Sequence, residues 1–300
     1  MITLGSDNMG NDANALLDRV DDLPPLPAVA ARVMGMADDD RTSALDLAQV
    51  LSTDQALTAK LIKLSNSAYY GFARRVSTVR EAVLVLGFKQ VRQVAVGASI
   101  INAWKGPREA DDFFDLDLFW GHSVAVAVIA ESFAKKGRLA KPEDAFTAGI
   151  LHDIGRLVLR QVMPREFSVA VSMAKSRGLP LHEAELRTTG YAHDEIGRAL
   201  GERWKFPPHL IDAVACHHDE TISPASAGLS GVVAYANRYA LHYGLYCGYD
   251  VDGGGEVEPL PPELVPVEAA VGGIERVLER AFYFIEAASG TPEKRHAMAG

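Results

Sequence analysis

The chain has few cysteines, which stabilise many small secreted proteins, and it lacks the positive net charge that favours binding to nucleic acid. It has two cysteines in 300 residues, Cys216 and Cys247, which is too few for a disulfide framework. Both are expected to be free thiols in a reducing cytoplasm. The formal net charge is −9, and this excess of acidic residues disfavours electrostatic binding to nucleic acid or anionic lipid. We therefore expect a cytoplasmic protein that binds neither nucleic acid nor a membrane surface.

Long hydrophobic segments and secretion signals are also lacking. The longest uncharged apolar run lies around residues 123–130 and is far too short to cross a bilayer. The first residues show no basic region followed by an apolar one, so no signal peptide is expected. The chain does have many apolar residues, which make up 48% of the sequence and suffice for a large core.

Helical signals run along the chain, whereas no stretch shows a convincing set of alternating strands. Ser43 and Asp54 stand at predicted helix starts, and Thr78 with Glu81 forms a capping-box pattern. Pro142 suits the first turn of a helix that would carry the pair His152-Asp153. The sequence therefore predicts an all-α protein.

Changes in composition divide the chain into four parts. Residues 105–117 are a charged, Asp-rich connection. The stretch 248–262 is rich in Gly, Pro and acid, but it lacks the ligand order of an EF-hand, so we predict a solvated connector there. The predicted parts are an N-terminal tail (1–22), an N-terminal helical subdomain (23–104), a second helical subdomain (105–245), and a final part with the acidic connector, a C-terminal helix and a tail (246–300).

Histidine is absent from the first hundred residues, and all nine histidines follow. His152 and Asp153 are adjacent in an apolar helical segment, where an imidazole and a carboxylate need partners or a metal. Four other histidines are in phase with apolar residues of their helices and are predicted to point inward, namely His122, His193, His217 and His218. The remaining four, His182, His209, His242 and His296, lack this phasing and are predicted at the surface or at helix ends. The inward set indicates either a metal site or a buried polar network.

These residues carry a family resemblance. His122 followed by His152-Asp153 resembles the start of the pattern of HD-superfamily metal-dependent phosphohydrolases. His193 and His217-His218 resemble the extra histidines of the HD-GYP subgroup, which hydrolyses cyclic di-GMP. Over residues 23–245 the chain resembles the HDOD (HD-related output domain) proteins of bacterial signalling, on the pieces Leu23-Pro24-Pro25-Leu26-Pro27, Ser67-Ala68-Tyr69-Tyr70-Gly71, Ser77–Gly87, Phe119-Trp120-Gly121-His122-Ser123 and Trp204-Lys205-Phe206-Pro207. The resemblance implies an N-terminal helical bundle packed on an HD-like helical bundle.

The chain departs from the enzymes of that superfamily at several acidic positions. Asn237 stands where an active HD hydrolase has Asp, and Leu118 stands where a second metal would need an acid. The Gly-Tyr-Pro loop of HD-GYP enzymes is replaced by Thr221–Gly228. The lysine that binds phosphate in many relatives is Arg156, which could hold a phosphate bidentately.

The resemblance and its departures together predict a regulatory protein with a degenerate site. The preferred hypothesis is a non-enzymatic signal-transduction module that has protein partners, with a nucleotide as a candidate ligand. The alternative is a phosphohydrolase acting on a nucleotide or cyclic (di)nucleotide, with Asp153 and Arg156 as catalytic residues. Histidine-rich sites with little carboxylate suit iron or zinc, as one or two ions. The predicted metal ligands are His122, His152, Asp153, His193, His217 and His218.

Overall fold

The computed structural model describes residues 12–18, 23–36, 42–66, 75–104, 114–249 and 259–289. Within these ranges every regular element is a helix, which confirms the predicted all-α fold. A single 3-10 turn at Pro262–Leu264 precedes the last two helices. The helices are α1 Ala13–Asp18, α2 Ala28–Gly35, α3 Ala44–Leu51, α4 Gln55–Ser65, α5 Val79–Leu86, α6 Phe88–Ala103, α7 Leu116–Gly137, α8 Pro142–Leu151, α9 Ile154–Val162, α10 Pro164–Arg177, α11 Leu181–Thr189, α12 His193–Arg203, α13 Pro208–Ala215, α14 Pro224–Ala227, α15 Leu229–His242, α16 Val265–Val271 and α17 Ile274–Ser289.

Side-chain caps begin the helices of the N-terminal bundle where the sequence predicts them. The Ser43 hydroxyl accepts the Asp46 backbone N–H at 3.2 Å, and the Asp46 carboxylate accepts the Ser43 N–H at 2.9 Å. Asp54 caps α4 and Thr78 caps α5 through their side chains, but the Glu81 carboxylate accepts from the Ser77 N–H and not from Thr78, so the predicted capping box is not closed. Helices α2 to α5 pack around α6. The predicted turn at residues 67–71 lies outside the described residues.

Helix α7 is the centre of the second bundle. By length and composition alone it could cross a membrane, and 72% of its apolar window is buried inside the structure. It packs against α8, α15, α16 and α17. We attribute its apolar sequence to this central position.

The sequence suggested that His152 and Asp153 lie inside one helix, but the structure places the pair at a break between two helices. His152 is the C-cap of α8, and Asp153 is the N-cap of α9. Gly155 lies within α9, after the break. A Cβ at Gly155 would lie 2.0 Å from the His193 carbonyl oxygen, so this glycine is needed because α12 crosses α9 there without a gap. The close crossing brings His193 next to Asp153.

The C-terminal helices pack against both predicted subdomains. Gly272 and Gly273, with φ of +77° and +105°, separate α16 from α17 as the sequence predicts. Helix α17 contacts α7 of the second bundle and both α4 and α6 of the first. Helix α1, at the end of the predicted tail, buries Leu16 and Leu17 and contacts α12. The subdomain boundaries stay a prediction, and the linker at 105–113 and the stretch 250–258 lie outside the described residues.

Candidate metal centre

Three buried imidazoles in this structure have their Nδ1 atoms held by backbone carbonyl oxygens. His122 Nδ1 lies 2.6 Å from the Leu245 carbonyl oxygen, and His152 Nδ1 lies 2.8 Å from that of Gly149. His217 Nδ1 lies 2.7 Å from the Val214 carbonyl oxygen. A carbonyl can only accept a hydrogen bond, so each of these three rings carries its proton on Nδ1 and has a lone pair on Nε2 when it is neutral.

The Nε2 atoms of these three rings and of His193 converge on Asp153. On one side, His122 Nε2 and His152 Nε2 lie 3.2 Å apart, at 3.6 Å and 3.3 Å from Asp153 Oδ2. On the other side, His193 Nε2 and His217 Nε2 lie 3.1 Å apart, at 2.9 Å and 3.4 Å from Asp153 Oδ1. The carboxylate therefore stands between two pairs of imidazoles.

His218 completes the second group. Its Nε2 atom lies 3.2 Å from His193 Nε2. The ligand atoms of Asp153, His193, His217 and His218 lie within 4.8 Å of one another, a spacing that could hold one ion. All six predicted metal ligands are thus brought together, and metal ligation by them stays a prediction.

His182 lies at a helix end, as the sequence predicts, and is half-buried. Its ring stacks on that of His218, with centroids 4.2 Å apart and an interplanar angle of 27°. Burial lowers the pKa of the His182 imidazole. It lies in the first turn of α11, where its ring covers the outer side of the cluster.

Glu185, also on α11, is a buried acid that the sequence reasoning missed. Its carboxylate accepts from Arg156 Nε at 2.8 Å and lies 2.5 Å from His193 Nδ1. Burial alone would raise the pKa of Glu185, but His193 and Arg156 hold that pKa below its ordinary value. The signal was present in the sequence, because Glu185 is in phase with the buried Leu181 and Ala184 of the same helix.

Arg156 pairs with two acids inside the protein. Its guanidinium donates to Asp153 Oδ2 as well as to Glu185, and the residue is only 5% exposed. Burial opposes ionisation of Asp153, but Arg156 holds the pKa of that carboxyl well below its ordinary range. These two bonds use Nε and Nη1 of a side chain that has five N–H donors, and the phosphate-binding role of Arg156 stays a prediction.

The imidazoles fall into two electrostatic classes. Burial, reinforced by the neighbouring imidazole of His152, lowers the pKa of His122 to about 3. Burial likewise lowers the pKa of His217 to about 4. Burial and the positive charge of Arg156 also lower the pKa of His193. The Glu185 and Asp153 carboxylates outweigh them and raise that pKa to about 9. His193 therefore carries a second ring proton near neutral pH when no ion is bound, whereas His122 and His217 are neutral.

A model of the HDOD domain family matches residues 23–220, more than half of the chain. The chain belongs to the HDOD family. This assignment confirms the family resemblance read from the residues, within the HD-related superfamily.

Three solved structures share this fold with moderate identity. An HDOD domain protein of Geobacter sulfurreducens is 28% identical, with a TM-score of 0.72 over 93% of this chain and 95% of that one. A protein of Shewanella amazonensis SB2B named "Putative phosphohydrolase" is 27% identical, with a TM-score of 0.65 over 92% and 97% of the two chains. A "Putative signal transduction protein" of Marinobacter aquaeolei VT8 is 26% identical, with a TM-score of 0.69 over 87% of this chain and 60% of that one.

A curated protein of Treponema pallidum (strain Nichols), named "Uncharacterized protein", is 27% identical over 227 residues. The matched region is 75% of this HDOD chain and 43% of the relative. The chain thus spans less than half the length of that relative.

A cavity of about 390 Å³ opens onto the histidine cluster of this HDOD chain. His122, His217 and His218 form part of its wall, and Arg238 stands on the opposite helix α15. Asn237 also lines it, is 3% exposed, and has a side-chain oxygen without a hydrogen-bond partner. The cavity gives a small molecule a path to the cluster.

The donor set fits a transition-metal ion. The Nε2 atoms of His122 and His152 face each other at 3.2 Å, and Asp153 Oδ1 lies 2.9 Å and 3.4 Å from the Nε2 atoms of His193 and His217. An ion would satisfy all of these atoms, and the Nδ1 partners already fix the ring orientations that a metal needs. Imidazole donors with a single carboxylate favour zinc or iron over magnesium.

Proposed function

We propose that this HDOD chain is a non-enzymatic signal-transduction module whose histidine cluster binds one or two zinc or iron ions. The observation that carries the proposal is the convergence of imidazole Nε2 atoms on Asp153, with each opposite nitrogen tied to an acceptor. In protein metal sites the ligand imidazoles usually have their other nitrogen hydrogen-bonded in this way, which fixes the tautomer of each ring. His122, His152, Asp153, His193, His217 and His218 would hold the metal.

The missing acids argue against turnover. Asn237 offers a neutral oxygen where the enzymes of the superfamily have a carboxylate, and Leu118 offers no donor at all. Arg156 is committed to two carboxylates inside the protein. The signal-transduction name of the Marinobacter relative agrees with a regulatory role.

The proposal includes protein partners and a nucleotide as the candidate ligand of the cavity. Arg238 and His182 line the cavity and can face a phosphate, and the aromatic side chains of Tyr246 and Tyr249 also line it. A thermal-shift titration with nucleoside mono-, di- and triphosphates and cyclic dinucleotides tests the ligand. Stabilisation by one of them that is lost in Arg238→Ala supports it, and no stabilisation by any removes it.

A second candidate function is a metal-dependent phosphohydrolase acting on a nucleotide or cyclic (di)nucleotide. The cavity favours it, because substrate could reach His122 and His217 directly. The phosphohydrolase name of the Shewanella relative points the same way. A bound divalent ion would supply a Lewis acid there. The residues of this chain would hold the ion, and Arg156, which lines the cavity, would orient a phosphate with its remaining N–H groups.

Metal analysis followed by an activity assay decides between the two. Protein purified without chelator, and protein reloaded with iron, manganese or zinc, is analysed for metal and assayed on generic phosphodiesters and nucleotides. We expect bound zinc or iron and no turnover. His217→Ala should lose the metal, whereas His209→Ala, at a half-exposed histidine paired with Asp144, should keep it. Turnover that disappears in Asp153→Ala would refute the non-enzymatic proposal, and absence of metal after every reloading would refute both candidates.

A further inference from the structure

The segment after α15 is fixed against α7 at two points. The Leu245 carbonyl accepts from His122 Nδ1 at 2.6 Å, and the Gly248 carbonyl accepts from the Asp115 N–H at 2.7 Å. Gly248 has φ of +77°, and a Cβ there would lie 2.1 Å from the Phe114 ring, so only glycine fits. Gly248 and Tyr249 are buried, in contrast to the solvated connector predicted to begin at residue 248. Cys247 lies in the chain between these two hydrogen-bonded residues, Leu245 and Gly248.

Cys247 lies at the edge of the hydrophobic core, beside the histidine cluster. It is 2% exposed, and its sulfur, a His122 ring nitrogen and an Asp153 carboxylate oxygen lie within 4.8 Å of one another. The Nδ1–H of His122 is already committed to Leu245, so the Nε2 lone pair of that ring is free to bind an ion. This group uses the side of Asp153 opposite to His193 and His217.

We propose that Cys247 supplies a thiolate ligand to a metal position shared with His122 and Asp153. The inference rests on the proposed metal-binding function and adds to it a soft, charged donor that the HD pattern does not contain. On binding, the S–H bond breaks, a sulfur–metal bond forms, and the proton passes to solvent. The thiolate would replace the negative charge that Asn237 no longer supplies.

A second observation points to a ligand at the same place. Asn237 lines the cavity together with Cys247 and His122, and its buried oxygen has no hydrogen-bond partner. A buried amide oxygen without a donor is costly, and an ion or its water would satisfy it. Thiolate with imidazole and one carboxylate is a donor set typical of zinc, and it disfavours magnesium and manganese.

The second cysteine provides a matched control. Cys216 is half-buried at the C-cap of α13, and among the described residues it belongs to neither of the groups that could hold an ion. Cys216→Ser leaves Cys247 as the single thiol of the chain. Cys247→Ser removes the proposed donor while it keeps nearly the same volume.

Cobalt substitution gives the test, because a thiolate bound to Co²⁺ produces an intense near-ultraviolet charge-transfer band that imidazole and carboxylate do not. The full chain is loaded with Co²⁺ and its cobalt content is measured beside its spectrum. We expect the band in the wild type and in Cys216→Ser, and its loss in Cys247→Ser, whose circular dichroism is checked for folding. If Cys247→Ser does not fold, the spectrum of Cys216→Ser alone decides.

The outcomes separate this inference from the proposed function. Stoichiometric cobalt in Cys216→Ser without the band overturns the role of Cys247 but leaves the metal site standing. A band that persists in folded Cys247→Ser also overturns it. Absence of bound cobalt, zinc and iron in the wild type overturns the metal site and the thiolate together.

Discussion

Arg156 and Glu185 form a buried ion pair at the back of the histidine cluster, with Arg156 Nε 2.8 Å from Glu185 Oε1. Glu185 also receives the Nδ1 side of His193, so it orients one candidate metal ligand and the arginine that neutralises Asp153. Two carboxylates, those of Asp153 and Glu185, therefore face the buried guanidinium of Arg156. This arrangement explains how so many titratable groups are buried together, because each charge faces an opposite one.

Glu185→Gln is expected to lower the free energy of unfolding by about 3 kcal/mol, because removing one member of a buried ion pair leaves the other charge uncompensated. Urea unfolding followed by circular dichroism measures the change. Glu183→Gln on the same helix is the control. It breaks the exposed pair with Arg187 and should change the stability by less than about 0.5 kcal/mol. Equal effects of the two substitutions would show that the buried pair contributes nothing.

Gly155→Ala should destabilise the protein by about 3 kcal/mol, at the upper end of overpacking costs, because the added methyl meets the His193 carbonyl. The crossing of α9 and α12 must open, which moves His193 from Asp153, so metal content should fall as well. Gly35→Ala, at a helical position with nothing within 4 Å of the new methyl, should be neutral or stabilise by about 0.5 kcal/mol. A Gly155→Ala protein with wild-type stability and metal content would contradict the described crossing.

Much of the fold could be predicted because it depends on local patterns. The caps at Ser43 and Thr78 and the break at Gly272-Gly273 are set by neighbours in the chain, and the structure bears them out. The inward position of His122 and His193 followed from helical phase alone. The phase of a histidine relative to the apolar residues of its helix was therefore the pattern that correctly predicted which histidines face the site.

The rest could not be predicted because it depends on contacts between distant segments. Gly155 is required by an approach of α12, and no neighbour in the sequence reports that approach. Cys247 follows α15 and reaches the cluster only because the Leu245 and Gly248 carbonyls bind to α7 and its N-cap residue. Whether Arg156 faces solvent or two acids is likewise decided by the docking of α11.

Tyr239→Phe tests how the C-terminal part is fastened to the second bundle. The buried Tyr239 hydroxyl donates to the Glu268 carboxylate of α16, and burial together with this hydrogen bond raises the pKa of the phenol. Loss of the hydroxyl should cost about 1 to 2 kcal/mol in unfolding free energy, since the bond is to a charged acceptor. Tyr235→Phe keeps the ring that stacks on Phe133 and should cost less than about 0.5 kcal/mol. Similar costs for both would mean that the Tyr239 hydroxyl does not fasten α16.

Asn237→Asp should restore an acidic donor to the cavity wall. A carboxylate beside a divalent ion adds an attraction of more than about 1 kcal/mol even when well screened, so metal affinity should rise about tenfold. Without metal the new charge would be buried near Asp153, so the chelated variant should unfold at a lower temperature than the chelated wild type. Chelator competition and thermal unfolding with and without zinc measure the two effects.

The control for Asn237→Asp is Asn102→Asp, which changes an amide of α6 that accepts from Lys60 Nζ at 2.6 Å and lies in the first bundle. It should leave metal affinity unchanged. If Asn237→Asp binds metal no more tightly than the wild type, Asn237 does not face the ion, and the loss of that acid cannot explain a loss of catalysis. If it binds more tightly and gains phosphodiester turnover, the missing carboxylate is what separates this HDOD site from an active hydrolase, because Asp153 and all five histidines of the cluster are already in place.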